Sequence, residues 1–159
     1  MEAHWAEELR FEELRGKPAF WHTAAMPLID GLKVVRSVLH GYGVVATRDF
    51  VEGDVLADVE GVTWRDGEWW DDTHTLRITD SMWFDMVDQT RWINHSCEAN
   101  AEVDLGVDEH GEPWAKVYAW RDIKAGEEVT YDYEFPPELA EPCRCGAPKC
   151  RGVIVREAP

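Results

Sequence analysis

Three of the chain's four cysteines, Cys143, Cys145 and Cys150, fall within eight residues in the segment EPCRCGAPKC. Thiolates at this spacing can wrap one tetrahedral ion, and Gly146 and Pro148 allow the tight loop between them; zinc is the ion this donor set suits. A disulfide framework would need an oxidising compartment, for which the sequence shows no export signal. The remaining cysteine, Cys97, lies far upstream in RWINHSCEAN. As fourth ligand it would pin the C-terminal segment against the middle of the chain. Such a closed four-thiolate site leaves no coordination position for a substrate and is structural. Two other stretches carry reactive or ligand-approaching groups: TYDY, with the phenols Tyr131 and Tyr133, and HGYG, where Gly41 and Gly43 flank Tyr42 and permit close backbone approach. Taken alone, a strand tyrosine is ordinarily a packing residue, and His95 a satisfied structural histidine.

These groups need a frame, and from Leu32 onward the chain reads as mostly β. LKVVRS, GVVAT, DVLADVEG and HTLRIT are β-prone, and they are separated by LHGYG, FVEGD and WRDGEW, which hold the glycines and acids of turns. AEVDLGVDEHGEPWAKVYAW predicts two strands around DEHGEP. In the second, Trp114, Lys116, Tyr118 and Trp120 alternate with Ala115, Val117 and Ala119, so one face carries bulk and the other small apolar groups. A last strand, EEVTYDY, ends before Pro136 and Pro137. At the other end, EAHWAEELRFEELRG predicts a short helix with Trp5 and Leu9 at helical spacing, closed by Gly16 and Pro18. That helix packs on the body or offers a partner surface. KPAFWHTAAMPLIDG follows as an irregular arm.

With 159 residues, the chain is long enough to bury one core. It has no apolar run of about eighteen residues or more to span a bilayer and no basic-then-apolar leader, so the expectation is a soluble intracellular protein, cytoplasmic or nuclear. The 32 acidic against 16 basic side chains give a formal net charge of −16. That field repels phosphates and attracts a lysine- or arginine-rich polypeptide, which argues against direct nucleic-acid binding; the acidity equally serves solubility.

The order HGYGVVATRDFVEGDVL, RWINHSCEAN, AWRDIKAGEEVTYDYEF and then the cysteines, from Leu32 to Ile154, resembles the SET-domain protein lysine methyltransferases with a post-SET zinc module. The resemblance implies a SET-domain (β-clip) fold of short curved sheets with a pseudoknot near the active site. It divides the chain into an N-terminal helix and arm over 1–31, a SET domain over 32–135 and a post-SET segment over 136–159. It implies S-adenosylmethionine as co-substrate and a structural zinc ion, with Cys97 joining Cys143, Cys145 and Cys150 around the metal. Gly41, Tyr42, Gly43, Asn94 and His95 would bind the co-substrate, and Val153 and Ile154 would cover its adenine. Tyr133 matches the catalytic tyrosine, and Tyr131 the position that limits the number of methyl groups added, so monomethyllysine is the expected product. The chemistry fits these residue types. A lysine amine, with an ordinary pKa of about 10.4, must lose its proton before it attacks a methyl group, and a narrow channel ending in tyrosine hydroxyls can desolvate and align it.

Three features depart from the family pattern. Ala99 stands where a proline is usual, and the segment DDTHTLRITDSMWFDMVDQTRWIN is short and lacks an upstream channel tyrosine, with His74 or Thr75 near its place. Either the channel is built differently, or activity is reduced, or Tyr42 or Tyr118 supplies part of that role. The substrate-selecting insert is replaced by WRDGEWWDDTH, where Trp64, Trp69 and Trp70 beside Asp66, Glu68, Asp71 and Asp72 receive a basic peptide or simply place acids next to core tryptophans. The alternatives to an enzyme are a catalytically weak SET module that binds basic peptides and a zinc-stapled interaction protein. The expected partner is a basic lysine-containing protein, a histone or another.

Overall fold

Valine at positions 34, 35, 44, 45 and 129 favours extended backbone, and these residues build the first sheet of the computed structural model, which describes residues 28–66, 68 and 74–156. Strands β1 (Leu32–Arg36) and β2 (Tyr42–Ala46) form a hairpin, Leu32 opposite Ala46 and Arg36 opposite Tyr42. β3 (Val55–Asp58), β4 (Gly61–Arg65), β5 (Thr75–Thr79) and β6 (Met82–Met86) follow, then a 3-10 turn over Gln89–Trp92, β7 (Asn94–His95), β8 (Ala101–Val107), β9 (Pro113–Ala119) and β10 (Glu128–Tyr131). A second 3-10 turn, Pro137–Leu139, leads to the two-residue strands β11 (Glu141–Pro142) and β12 (Val153–Ile154). The strands assemble as β1-β2-β10-β7, β3-β9-β8, β4-β6-β5 and β11-β12. The predicted N-terminal helix lies outside the described residues, as do Trp69, Trp70, Asp71 and Asp72.

The core lies where the inner faces of these sheets meet: Val44, Phe50, Val117, Ile123 and Val129 are each at most 1% exposed. On β9 the small apolar face, Ala115, Val117 and Ala119, is the buried one, and the bulky face looks outward. A buried amide holds the layers together. The Asn100 carboxamide accepts from Thr130 N (2.8 Å) and donates to Glu128 O (2.8 Å) and Glu127 Oε1 (3.1 Å), while its carbonyl accepts from Trp120 N (2.9 Å). With its side-chain amide and backbone carbonyl hydrogen-bonded, the residue sits 2% exposed with the desolvation of those groups offset.

Three expectations change. The continuous strand DVLADVEG breaks at Val59–Glu60, because Val59 N bonds to Ala115 O of β9 whereas Glu60 N bonds to Asp88 Oδ2 at 2.6 Å and Glu60 O to Val87 N; the chain changes sheet there. The supposed turn WRDGEW begins inside β4, and MWFDM forms β6, the central strand of that sheet. Regular structure also continues past the double proline, since Pro137 opens the 3-10 turn.

Candidate active site and metal centre

Parallel pairing of β7 with β10 sets Asn94 opposite Thr130 and His95 opposite Tyr131. Two motifs that lie 36 residues apart in the sequence are thereby side by side. This is where the pseudoknot was expected. From this junction an aromatic row extends along the chain: Tyr131 and Tyr133 have ring centroids 4.7 Å apart, Tyr133 and Phe135 5.5 Å, and His95 stands edge-on to Tyr133 at 5.4 Å. The Tyr133 hydroxyl donates to Ile93 O (2.8 Å), which commits its proton and leaves its lone pairs free. Desolvation pushes the Tyr133 phenol up to about 12 and raises Tyr131 further. Both remain protonated at neutral pH and cannot act as bases.

The HGYG loop is tied to this junction from behind. Asn94 Nδ2 lies 2.8 Å from Tyr42 O, 2.8 Å from Glu128 Oε1 and 3.2 Å from His40 O, and Ser37 Oγ donates to the same Glu128 carboxylate at 2.8 Å. Gly41, at φ 48°, has open space where a side chain would stand. Gly43 is required for an internal reason: a Cβ there would overlap the Glu128 carboxylate. Tyr42 stands edge-on to Trp92 (5.6 Å), and Trp92 to His74 (5.5 Å), whose Nδ1 is 3.1 Å from Arg91 Nη2. His74 therefore lies on the Tyr42 side of the site. Tyr118 belongs instead to the β3-β9-β8 sheet.

A ring nitrogen of His95 and the sulfurs of Cys97, Cys143 and Cys145 all lie within 4.8 Å of one another, with Cys97 and Cys143 sulfurs 3.6 Å apart. Cys150, expected as one of the four ligands, falls outside this set, in which His95 stands instead; its Sγ lies 4.0 Å from Cys143 O. The donor chemistry suits a thiophilic divalent cation. Backbone N–H groups already point at the sulfurs, Arg151 N to Cys97 (3.4 Å), Gly152 N to Cys150 (3.4 Å) and Cys97 N to Cys145 (3.5 Å). Burial pushes the Cys143 thiol up to about 12; at Cys145 burial is outweighed by the N–H groups of Cys97 and Ala147 and by neighbouring thiols, which bring it down to about 6. Since Tyr133 N donates to His95 Nδ1 (3.2 Å), the ring proton is on Nε2, 3.4 Å from Cys97 Sγ. Burial lowers the His95 pKa against the pull of Asp132, which keeps the ring neutral. His95 thus links the aromatic row to the cysteines.

The structure brings Tyr131, Tyr133, Asn94, His95, Gly41, Tyr42 and Gly43 to one junction and the four cysteines to its flank. Val153 and Ile154 form β12 against Pro142 and Glu141, half-buried. Sequence reasoning missed the residues that hold these in place: Glu128, Asn100, Phe135, and the pair Arg151–Asp132, bidentate at 2.6 and 2.8 Å. Phe135 was legible in the alternation of YDYEF; the others carry no local signal. Trp64 stacks on Trp83 (5.4 Å), and Asp66 accepts from Trp83 Nε1 (3.0 Å), so both belong to the face of their own sheet.

A family model described as "SET domain" matches residues 41–134. Human histone-lysine N-methyltransferase 2B is 34% identical over 141 residues, covering 77% of this chain and 5% of the human protein. Histone-lysine N-methyltransferase trithorax of Drosophila virilis is 34% identical over 136 residues (77% and 4%), and the H3 lysine-4 specific histone-lysine N-methyltransferase of Schizosaccharomyces pombe 41% over 87 residues (52% and 9%). The chain spans under a tenth of the length of these relatives. Among solved structures, KRYPTONITE in complex with mCHH DNA, an H3(1-15) peptide and SAH superposes with TM-score 0.66 at 25% identity, covering 77% of this chain and 29% of that one.

Proposed function

We propose that this chain, which belongs to the SET-domain family, transfers a methyl group from S-adenosylmethionine to a lysine side chain of a basic protein, a histone or a similar polypeptide. The observation that carries this is the β7–β10 register, which sets Asn94 and His95 beside Tyr131 and Tyr133. S-adenosylmethionine supplies an electrophilic methyl group when bound. The residues proposed to receive it are Gly41, Tyr42, Gly43, Asn94 and His95, with Val153 and Ile154 over the adenine. The aromatic row excludes water from the incoming amine, and the Tyr133 oxygen, its proton held by Ile93, presents lone pairs to the cationic methyl. With both phenols protonated, the amine's proton leaves to solvent before attack, and the side chains align the reactants without a conventional base. Tyr131 is proposed to restrict the product to monomethyllysine. Cys97, Cys143, Cys145 and Cys150 would hold zinc, and His95 would orient Cys97.

That relatives are histone-lysine methyltransferases and that a similar structure contains SAH and an H3 peptide supports this reading. The net charge of −16 favours a basic polypeptide as partner. The test is methyl-labelled S-adenosylmethionine with mixed histones and a cell lysate, followed by mass spectrometry of labelled bands. Label on lysine that disappears in Tyr133→Phe supports the enzyme. Binding of the co-substrate by calorimetry without any label above that control would favour the peptide-binding module instead.

A further inference from the structure

On the β3-β9-β8 sheet, away from the aromatic row and the cysteines, the outward face of β9 presents Trp114, Lys116 and Tyr118, and Trp120 follows just past the strand's end. Cross-strand pairing places Glu102 and Val55 beside Tyr118, and Asp104 and Asp58 beside Lys116. A hollow of about 410 Å³ opens at one end, lined by Tyr118 and Ala119 of β9, Trp120 just after it, Glu102 of β8, and Glu52 and Gly53 of the turn before β3. That turn is fixed: Gly53 N bonds to Ala119 O at 2.9 Å and Glu52 N to Asp122 Oδ1 at 3.0 Å. Trp120 is 64% exposed, far more than an indole of the core.

Charge tells what would cover this face. Lys116 is neutralised by Asp58 at 3.1 Å, and Arg121 by Glu127 at 2.6 Å. The carboxylates of Glu52 and Glu102 have no cation or hydrogen-bond donor among the described residues. Two unpaired acids beside two aromatic rings suit an alkyl-borne cation, which stacks its apolar stem and charge on the rings while the carboxylates supply counter-charge. An acidic or purely apolar partner would leave those carboxylates uncompensated.

We infer that this face is a docking surface for a basic polypeptide segment, seating one arginine or lysine side chain between Tyr118 and Trp120 with Glu52 and Glu102 as counter-ions. That the segment belongs to the methylated substrate rests on the function proposed above; the binding itself does not.

The indole N–H resonance of Trp120, assigned by Trp120→Phe, is followed in the zinc-loaded full chain during titration with short acetylated peptides containing arginine, lysine or the neutral isostere citrulline. Saturable shifts with arginine and lysine but not citrulline are expected. Affinity should fall about tenfold in Glu102→Gln and in Trp120→Ala and be unchanged in Tyr133→Phe. Equal response to citrulline, no loss in either variant, or loss in Tyr133→Phe would overturn the proposal. So would sedimentation showing that a second copy of the chain occupies the face. With a basic protein substrate, Trp120→Ala should raise KM about tenfold at constant kcat. A protein that binds the arginine peptide this way but never transfers methyl groups would sink the methyltransferase reading and leave the docking surface standing.

Discussion

Tyr131 and Tyr133 are the same side chain two residues apart, yet their hydroxyls stand in different surroundings. Tyr133 is hydrogen-bonded to Ile93 O, whereas the Tyr131 hydroxyl bonds to no other described residue and is available to an amine or a water. Replacing Tyr133 with Phe removes the oxygen proposed to face the transferring group, and kcat should fall about 10²–10³-fold, the range for loss of one preorganised polar contact. Tyr131→Phe keeps the ring and frees space beside the nitrogen. Its expected effect is a shift towards di- and trimethyllysine with turnover kept within about tenfold, read by mass spectrometry of product peptides. Trimethylation by the unaltered chain would show that His74 and its neighbours open the channel instead. The pH profile separates these phenols from the substrate. An amine with an ordinary pKa of about 10.4 becomes reactive as pH rises, so kcat/KM should climb from pH 7 towards 10. Tyr133, raised to about 12, should impose no falling limb within that range. A decline between pH 8 and 10 in a protein that stays folded by circular dichroism would overturn the assignment of protonated phenols.

At the scale of the element, the C-terminal segment is an arm laid back over the end of β10. Arg151 grips Asp132, Arg156 N donates to Phe135 O (2.8 Å), and Arg156 Nε lies 3.4 Å from Glu134. Glu134 adopts φ 49°, a left-handed conformation costly for a non-glycine residue by about 1 kcal/mol, and it occurs at the bend that carries Phe135. Arg151→Ala should loosen residues 151–156 from the end of β10 at a cost of about 1–2 kcal/mol, between an exposed and a buried ion pair, with activity reduced and, since the cysteines precede this stretch, zinc content unchanged. The sign of the acid dependence follows from Asp132. Desolvation alone would raise its pKa, but the Arg151 hydrogen bonds outweigh it and the net shift is downward. Its stabilisation is thus present above its unfolded pKa of about 3.9 and lost as pH falls through the lower folded value; chemical denaturation of Asp132→Asn should be less sensitive to acid there. How much of this was legible follows from locality. The alternation of β9 separated a bulky face from a small apolar one without saying which is buried, and the cysteine spacing and the Asn94–His95 and Tyr131–Tyr133 motifs marked the candidate site. The grip of Arg151 on Asp132 and the space Glu128 takes beside Gly43 depend on pairing between distant strands, and no local pattern encodes them. The crossing at Val59–Glu60 was hidden for the same reason, since both sides of it are equally β-prone.

Across the whole molecule, the strands divide into a body with its own core and a small C-terminal unit that has almost none. Residues buried in the body, Val44, Phe50, Val117, Ile123 and Val129, come from β2, β9, β10 and the connections between them, whereas β11 and β12 are two-residue strands and Cys143 is the buried hydrophobic position of that unit. The body carries most of the negative charge, and if a basic substrate is recruited by it, KM should rise steeply as salt increases from about 50 to 300 mM. A salt-independent KM would count against recruitment by charge. Metal removal tests the division itself. A unit this small cannot stabilise itself by apolar burial, so the proposed zinc ion supplies its folding energy, while the body does not depend on it. The purified protein should contain about one equivalent of zinc by elemental analysis. A chelator should then expose the amides of residues 141–156 to hydrogen exchange while those of β2, β9 and β10 stay protected. Activity should be lost with the arm, because the segment that releases is the one lying over Asp132 and Phe135. Global unfolding on chelation would show that Cys97 anchors the body as well as the arm, and a metal-free protein with full activity would remove zinc from the account altogether.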